Sequence, residues 1–100
     1  MKVLRYYSKH LSKSDIPCCW CCRESHIEFL AIDHIAGRKQ MDSELNLVKL
    51  GYSSDLISQR LVGWITRNNF PEGFRILCHN CNSAIAVYGK CPHEKYIKNI

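Results

Sequence analysis

Phe74-Arg75-Ile76-Leu77-Cys78-His79-Asn80-Cys81-Asn82 joins a strand, a cysteine knuckle and a helix start in nine residues. Its first residues have the composition of a short buried strand. They pass without a break into the pair Cys78-x2-Cys81, and the segment from Asn80 to Tyr88 then reads as a helix that Gly89 ends as its C′ residue. A C-x2-C pair wraps one backbone knuckle around one side of a tetrahedral ion, so a second pair is needed to close a zinc site. Upstream, Cys18-Cys19-Trp20-Cys21-Cys22 contains two such pairs, Cys18/Cys21 and Cys19/Cys22. Adjacent cysteines cannot all bind one four-coordinate metal, and the spacing alone leaves the choice between the pairs open.

Working outward, Ile27, Phe29 and Leu30-Ala31-Ile32 form a second β-prone run, which predicts two antiparallel strands about forty residues apart. No hairpin turn is that long, so the intervening segment must hold structure of its own. Within it, Ser54-Asp55 offers a helix start, Ile57, Leu61, Trp64 and Ile65 line one face, and Asn68-Asn69 with Pro71-Glu72-Gly73 provides a stop, predicting a helix over 55–68. A shorter helix is expected over 42–50, closed by Gly51. At the other end of the chain, Val3, Leu4, Tyr7 and Leu11 recur at helical spacing over residues 2–12, with Lys2, Arg5, Lys9 and Lys13 on the remaining faces. Asp15-Ile16-Pro17 ends that helix, because the residue before proline is pushed out of the helical region. The expected architecture is α+β: a small single domain with an N-terminal helix, two strands bracketing a helical insertion at about 40–70, and a final helix.

The bulk properties narrow the function class. One hundred residues make one domain, in a size range where a staple helps a thin core. The seven cysteines are an odd number, and no apolar segment follows Met1-Lys2-Val3-Leu4-Arg5-Tyr6. Both features favour an intracellular, reduced protein with metal-bound thiolates over a secreted disulfide framework. No apolar run approaches the length of a membrane span. The formal charge of +5, from 14 basic and 9 acidic residues, suits a polyanionic partner. Four thiolates and one Zn2+ would bring it to about +3. The cysteines of the upstream cluster that do not bind metal are read as small packing residues, and Cys91 of Cys91-Pro92-His93 as packing the C-terminal tail.

Asp33-His34 stands where the first strand opens into the insertion. The carboxylate can hold a hard cation while a neutral imidazole takes a proton from water. Asn82 can add an amide oxygen to such a cation from the start of the last helix, although an asparagine there can equally cap the helix. Asn80 reads as a cap or a knuckle contact. His10, His26 and His79 read as surface or packing residues, with His79 the nearest of them to a phosphate-contacting role.

At these residues the chain resembles the HNH endonuclease superfamily, in its zinc-containing branch with a ββα-metal (His-Me finger) site, and in particular the small proteins encoded by phages and microbes. The resemblance rests on Asp33-His34-Ile35-Ala36-Gly37, on Pro71-Glu72-Gly73-Phe74 continuing to Asn82, and on Gly89-Lys90-Cys91-Pro92-His93. It runs from about residue 18 to 93, behind a basic N-terminal helix in residues 1–15. In such proteins Gly-Glu follows the second cysteine of the upstream knuckle. Cys22-Arg23-Glu24 matches all but the glycine, which selects Cys19 and Cys22, with Cys78 and Cys81, as the structural zinc ligands.

The resemblance further implies a DNA endonuclease that hydrolyses phosphodiester bonds to 5′-phosphate and 3′-hydroxyl ends. His34 would be the general base, and Asp33 and Asn82 would hold a catalytic Mg2+ or Mn2+, making this an H-N-N variant. The middle asparagine of the pattern usually lies five residues before the third cysteine, and here that position is Gly73. Arg38, Lys39, Arg75 and His79 are the candidate nucleic-acid contacts, and DNA is the expected partner of a monomer or homodimer. The competing reading is a non-catalytic zinc-stabilised module that binds nucleic acid through Lys2, Arg5, Lys9, Arg60 and Arg67.

Overall fold

A computed structural model describes residues 2–89, so Cys91-Pro92-His93 lies outside the described residues. The apolar stripe of the N-terminus forms helix α1 (Lys2–His10), which buries Val3, Tyr7 and Ser8. It stops two residues short of the expected end. The amide of Leu11 still reaches the Tyr7 carbonyl at 2.8 Å, but that of Ser14 turns back to the Ser8 carbonyl at 3.1 Å, and Lys13 takes a left-handed conformation with φ +56.

The two buried serines of this segment anchor the first knuckle. The Ser8 hydroxyl accepts from the Cys18 amide at 3.0 Å and donates to the Cys18 carbonyl at 3.3 Å, where the Ser12 hydroxyl also donates at 3.4 Å. The Cys18 peptide is thereby tied to α1. Beyond it the chain reverses, with the Cys19 amide on the Glu24 carbonyl at 2.8 Å and the Arg23 amide on the Cys19 carbonyl at 3.1 Å. Arg23 itself sits at φ +69, in the region that glycine enters without strain.

The first strand is shorter than its composition suggests. Ile27–Phe29 forms a 3-10 turn rather than strand, and Ile27 and Phe29 are exposed. The cause is local: Glu24 accepts from the amides of Ser25 and His26 at 3.0 and 3.1 Å, and the Phe29 amide folds back to the His26 carbonyl at 2.9 Å. Strand β1 (Leu30–His34) then pairs antiparallel with β2 (Phe74–Cys78), with Asp33 opposite Arg75 and His34 opposite Phe74. The Trp20 amide reaches the Ile76 carbonyl at 2.7 Å and joins the knuckle to β2.

Between the strands lie a 3-10 turn over Gln40–Ser43, a short helix α2 (Leu45–Lys49) and helix α3 (Ser58–Arg67). The first expected helix, over 42–50, is therefore divided, while Gly51 closes it at φ +92 with its amide on the Val48 carbonyl at 2.9 Å. Helix α3 begins three residues after Asp55. The Asp42 carboxylate takes the Ser54 amide at 2.8 Å and the Ser53 hydroxyl takes the Asp55 amide at 3.2 Å. Those two amides are spent in a turn, so the helix starts later without a side-chain cap.

Phe74, Ile76 and Leu77 of β2 are fully buried together with Ile65 and Met41, and Val3, Tyr7, Leu47, Tyr52, Leu61 and Trp64 complete the core. Each such side chain contributes about 1.5–3 kcal/mol by leaving water. Polar atoms pin the insertion: Trp64 Nε1 donates to the Leu50 carbonyl at 2.7 Å, and the Tyr7 hydroxyl donates to the Pro71 carbonyl. Helix α4 (His79–Tyr88) follows β2 directly. Its N-cap is Cys78, whose sulfur accepts from the Cys81 amide at 3.4 Å, and Gly89 ends it at φ +79.

Candidate metal centre and adjoining cleft

The fold brings the sulfur atoms of Cys19, Cys22, Cys78 and Cys81 within 4.8 Å of one another. Zn–S bonds of about 2.3 Å at tetrahedral angles separate sulfurs by about 3.8 Å, and the Cys22 and Cys78 sulfurs lie 3.6 Å apart. The donor set and its spacing fit a structural Zn2+ with no open coordination position. Burial pushes the Cys19 thiol up, but amides of Cys22, Cys78 and Cys21 directed at its sulfur bring it below the ordinary thiol range. Cys22 is pushed up to about 11, first by desolvation and then by the neighbouring sulfurs of Cys78 and Cys19. A cluster whose members resist joint ionisation in this way is one that a divalent cation relieves. Cys18 and Cys21 are buried outside the cluster. The pinned Cys18 peptide explains the register: with Cys18 held against α1, the next residue begins the turn that closes on the second knuckle.

The other residues singled out in the sequence divide into two groups. Asp33, His34, Arg38, Arg75 and Asn82 all line one open cleft of about 610 Å³ between the end of β1, the loop after it and α4, with Gly37 and Gln40 at its edge. Lys39 is exposed on the same loop but does not line the cleft. His79 and Asn80 lie elsewhere, in a smaller cleft of about 230 Å³ with Glu24, Phe29 and Cys78. Among the described residues the four cysteines form the only convergent group of three or more His, Cys, Asp or Glu ligands.

His34 is half-buried between Phe74, 5.2 Å away by ring centroids, and Tyr52 at 6.2 Å. Its Nε2 is buried without a hydrogen-bond partner. Burial holds the imidazole below its ordinary range, which Asp33 opposes and Arg38 reinforces, so the neutral form is favoured. Asp33 Oδ2 accepts from Arg75 Nε at 2.8 Å, with the two side chains 12% and 15% exposed. The Arg75 guanidinium in turn lies over Trp20, 4.8 Å from the ring centroid. Asn82 is half-buried in the first turn of α4 and makes no side-chain hydrogen bond among the described residues. The capping role that an asparagine could fill there belongs to Cys78.

Two further residues shape this region without a signal in the sequence. Tyr52 donates its hydroxyl to the Arg38 carbonyl at 2.7 Å and so braces the loop that follows His34. Trp20 supports Arg75. A tyrosine in a long insertion and a tryptophan between cysteines carry no spacing signal that predicts either contact. At Gly73, φ is +116 and an added Cβ would stand 3.0 Å from the Met41 methyl, so an asparagine there would strain the backbone and require the methionine to shift. Its carbonyl accepts from the Ile35 amide at 2.9 Å, a backbone tie at the residue after His34.

No helix among the described residues is long and apolar enough to cross a membrane. No protein-family model, curated protein or solved structure matches the chain. The site and its frame are those of a small α+β domain with a four-cysteine cluster suited to structural zinc, consistent with ββα-type metal-binding folds in general.

Proposed function

We propose that the protein is a metal-dependent DNA endonuclease of the HNH type, with the zinc of the four-cysteine cluster as a structural staple. The observation that carries the reading is the shared cleft of Asp33, His34 and Asn82, residues from β1 and α4 that lie far apart in sequence. One carboxylate and one amide oxygen suit Mg2+ or Mn2+, which keep several waters and need few protein ligands. Such a cation supplies positive charge to the phosphate and to the leaving 3′ oxygen.

The chain's own residues account for the rest. His34, kept neutral by burial, removes a proton from the attacking water. The new bond joins that oxygen to phosphorus, the bond to the 3′ oxygen breaks, and solvent protonates the released alkoxide to give the 3′-hydroxyl. The Gly73 carbonyl and the Tyr52 hydroxyl hold the loop that follows His34, and such positioning matters because a displacement of about 1 Å can cost roughly a hundredfold in rate. The exposed Arg38 and Lys39 extend the positive charge beside the cleft.

A second reading has its own observation. Asp33 is engaged by Arg75, as a purely structural carboxylate would be, and a zinc staple with exposed Lys2, Arg5, Lys9, Arg60 and Arg67 suffices for a non-catalytic nucleic-acid-binding module. That reading asks for no metal beyond the zinc. Digestion of supercoiled plasmid by wild type and His34→Ala in Mg2+, Mn2+ and EDTA separates the two. The nuclease gives nicked or linear product with Mg2+ or Mn2+ and none with EDTA, and His34→Ala loses cutting while keeping its zinc. Retarded but uncut DNA in every condition establishes the binding module instead.

A further inference from the structure

The nuclease reading uses the carboxylate of Asp33 and leaves unexplained why a cation, Arg75, is bound to it. Resting on that reading, we infer that Arg75 is a positioning residue for the divalent-cation site, holding Asp33 by one oxygen and weakening the site's grip on the metal. Three observations support this. Asp33 and Arg75 face each other directly across the two strands, so the contact is built into the sheet register rather than reached by a flexible side chain. The bond runs from Nε to Oδ2 at 2.8 Å, which leaves Oδ1 without a protein partner among the described residues. The guanidinium lies on Trp20, and the Trp20 amide is bonded to Ile76, the residue after Arg75. Both neighbours of the arginine are thus fixed to the same strand.

A carboxylate held in this way presents a single oxygen to the cleft in one orientation. The geometry favours monodentate binding, which suits an ion that retains its waters. The nearby positive charge also repels the cation. Its removal alone is expected to tighten metal binding by on the order of tenfold for charges several ångströms apart at a solvated site. Orientation and affinity are therefore set against each other, and substitution at Arg75 separates them.

The experiment measures Mn2+ binding to the zinc-loaded protein without DNA, from the loss of the free-ion electron paramagnetic resonance signal. Plasmid nicking at saturating Mn2+ is measured in parallel, and zinc content is determined for every variant. Arg75→Gln is expected to bind Mn2+ about tenfold more tightly yet nick more slowly at saturation. Arg75→Lys keeps the charge but loses the Nε contact and the guanidinium contact over Trp20; its Mn2+ affinity should stay within about twofold of wild type while nicking again slows.

An Arg75→Gln protein that retains zinc but binds Mn2+ no more tightly overturns the inference. So does wild-type turnover in both variants, or a wild type that binds no Mn2+. Should Arg75→Gln lose its zinc, Arg75→Lys carries the test, and wild-type turnover in that variant overturns the inference. A role confined to phosphate contact would raise KM for DNA and leave DNA-free Mn2+ affinity unchanged in Arg75→Gln. If the wild type binds Mn2+ but cuts nothing, the nuclease reading fails, while the Mn2+ affinities still judge Arg75.

Discussion

Arg23 holds the first knuckle in a conformation that an arginine enters only at a cost. At φ +69 its Cβ crowds the following carbonyl, a strain of about 1–2 kcal/mol for a residue other than glycine. An opposing contact is present: one terminal guanidinium nitrogen donates to the Ser12 carbonyl, tying the knuckle to the end of the α1 segment. At this exposed position the bond contributes about 1 kcal/mol. Arg23→Ala removes the tether and keeps the strain, so it should destabilise by about 1 kcal/mol. Arg23→Gly removes both and widens the unfolded ensemble at a cost of about 0.5–1 kcal/mol, which leaves it within about 1 kcal/mol of wild type. Glycine should therefore exceed alanine by about 0.5–1 kcal/mol, the reverse of the usual order, or a few degrees in Tm for a domain of this size. The assay is thermal unfolding of the three proteins at one fixed free-zinc concentration, because zinc binding is linked to folding. An alanine variant as stable as the glycine variant, or more so, would refute the argument from backbone strain.

The ligand register makes a separate prediction. Cys78→Ser should lose zinc and with it the fold, whereas Cys18→Ala should retain one zinc per chain; loss of zinc from Cys18→Ala together with its retention in Cys19→Ala would reverse the assignment. The depressed pKa of His34 predicts two pH effects. If His34 is the base of the proposed nuclease, it should stay neutral to below the ordinary histidine pKa of about 6.5, placing the acidic limb of kcat/KM under that value. Stability follows from the same shift. The unfolded chain takes up the proton near about 6.5 and the folded chain only at lower pH, so the contribution is complete above that value and falls away as pH drops through it. Comparing wild type with His34→Ala between about pH 5 and 7 isolates this effect, since thiolate protonation is common to both, and a stability difference that does not change with pH would refute it.

The elements that depend on neighbours in sequence are largely legible along the chain. The C-x2-C spacing implies a knuckle because few residues must turn around one ion, and Gly51 and Gly89 end their helices in the left-handed conformation that glycine enters freely. The apolar spacing of Val3 and Tyr7, and of Leu61, Trp64 and Ile65, likewise marks the faces that are buried. Local competition shifts the boundaries. Asp42 captures the Ser54 amide twelve residues away and delays α3, and Glu24 turns Ile27 and Phe29 out of the strand.

Read along the chain, the residues supply an inventory: two cysteine knuckles, two strands, the helices between and around them, and an Asp-His pair at a strand end. Which members of that inventory meet depends on long-range packing. Cys18/Cys21 and Cys19/Cys22 have identical spacing, so only the Ser8 and Ser12 contacts with the Cys18 peptide and the Trp20 bond to β2 distinguish the converging pair from the packed one. Asp33 reads as a free ligand until the strand register sets Arg75 opposite it with Trp20 beneath. The reason is physical: spacing along the chain encodes local geometry, whereas the partner of a charged or sulfur atom depends on which distant backbone the core brings beside it.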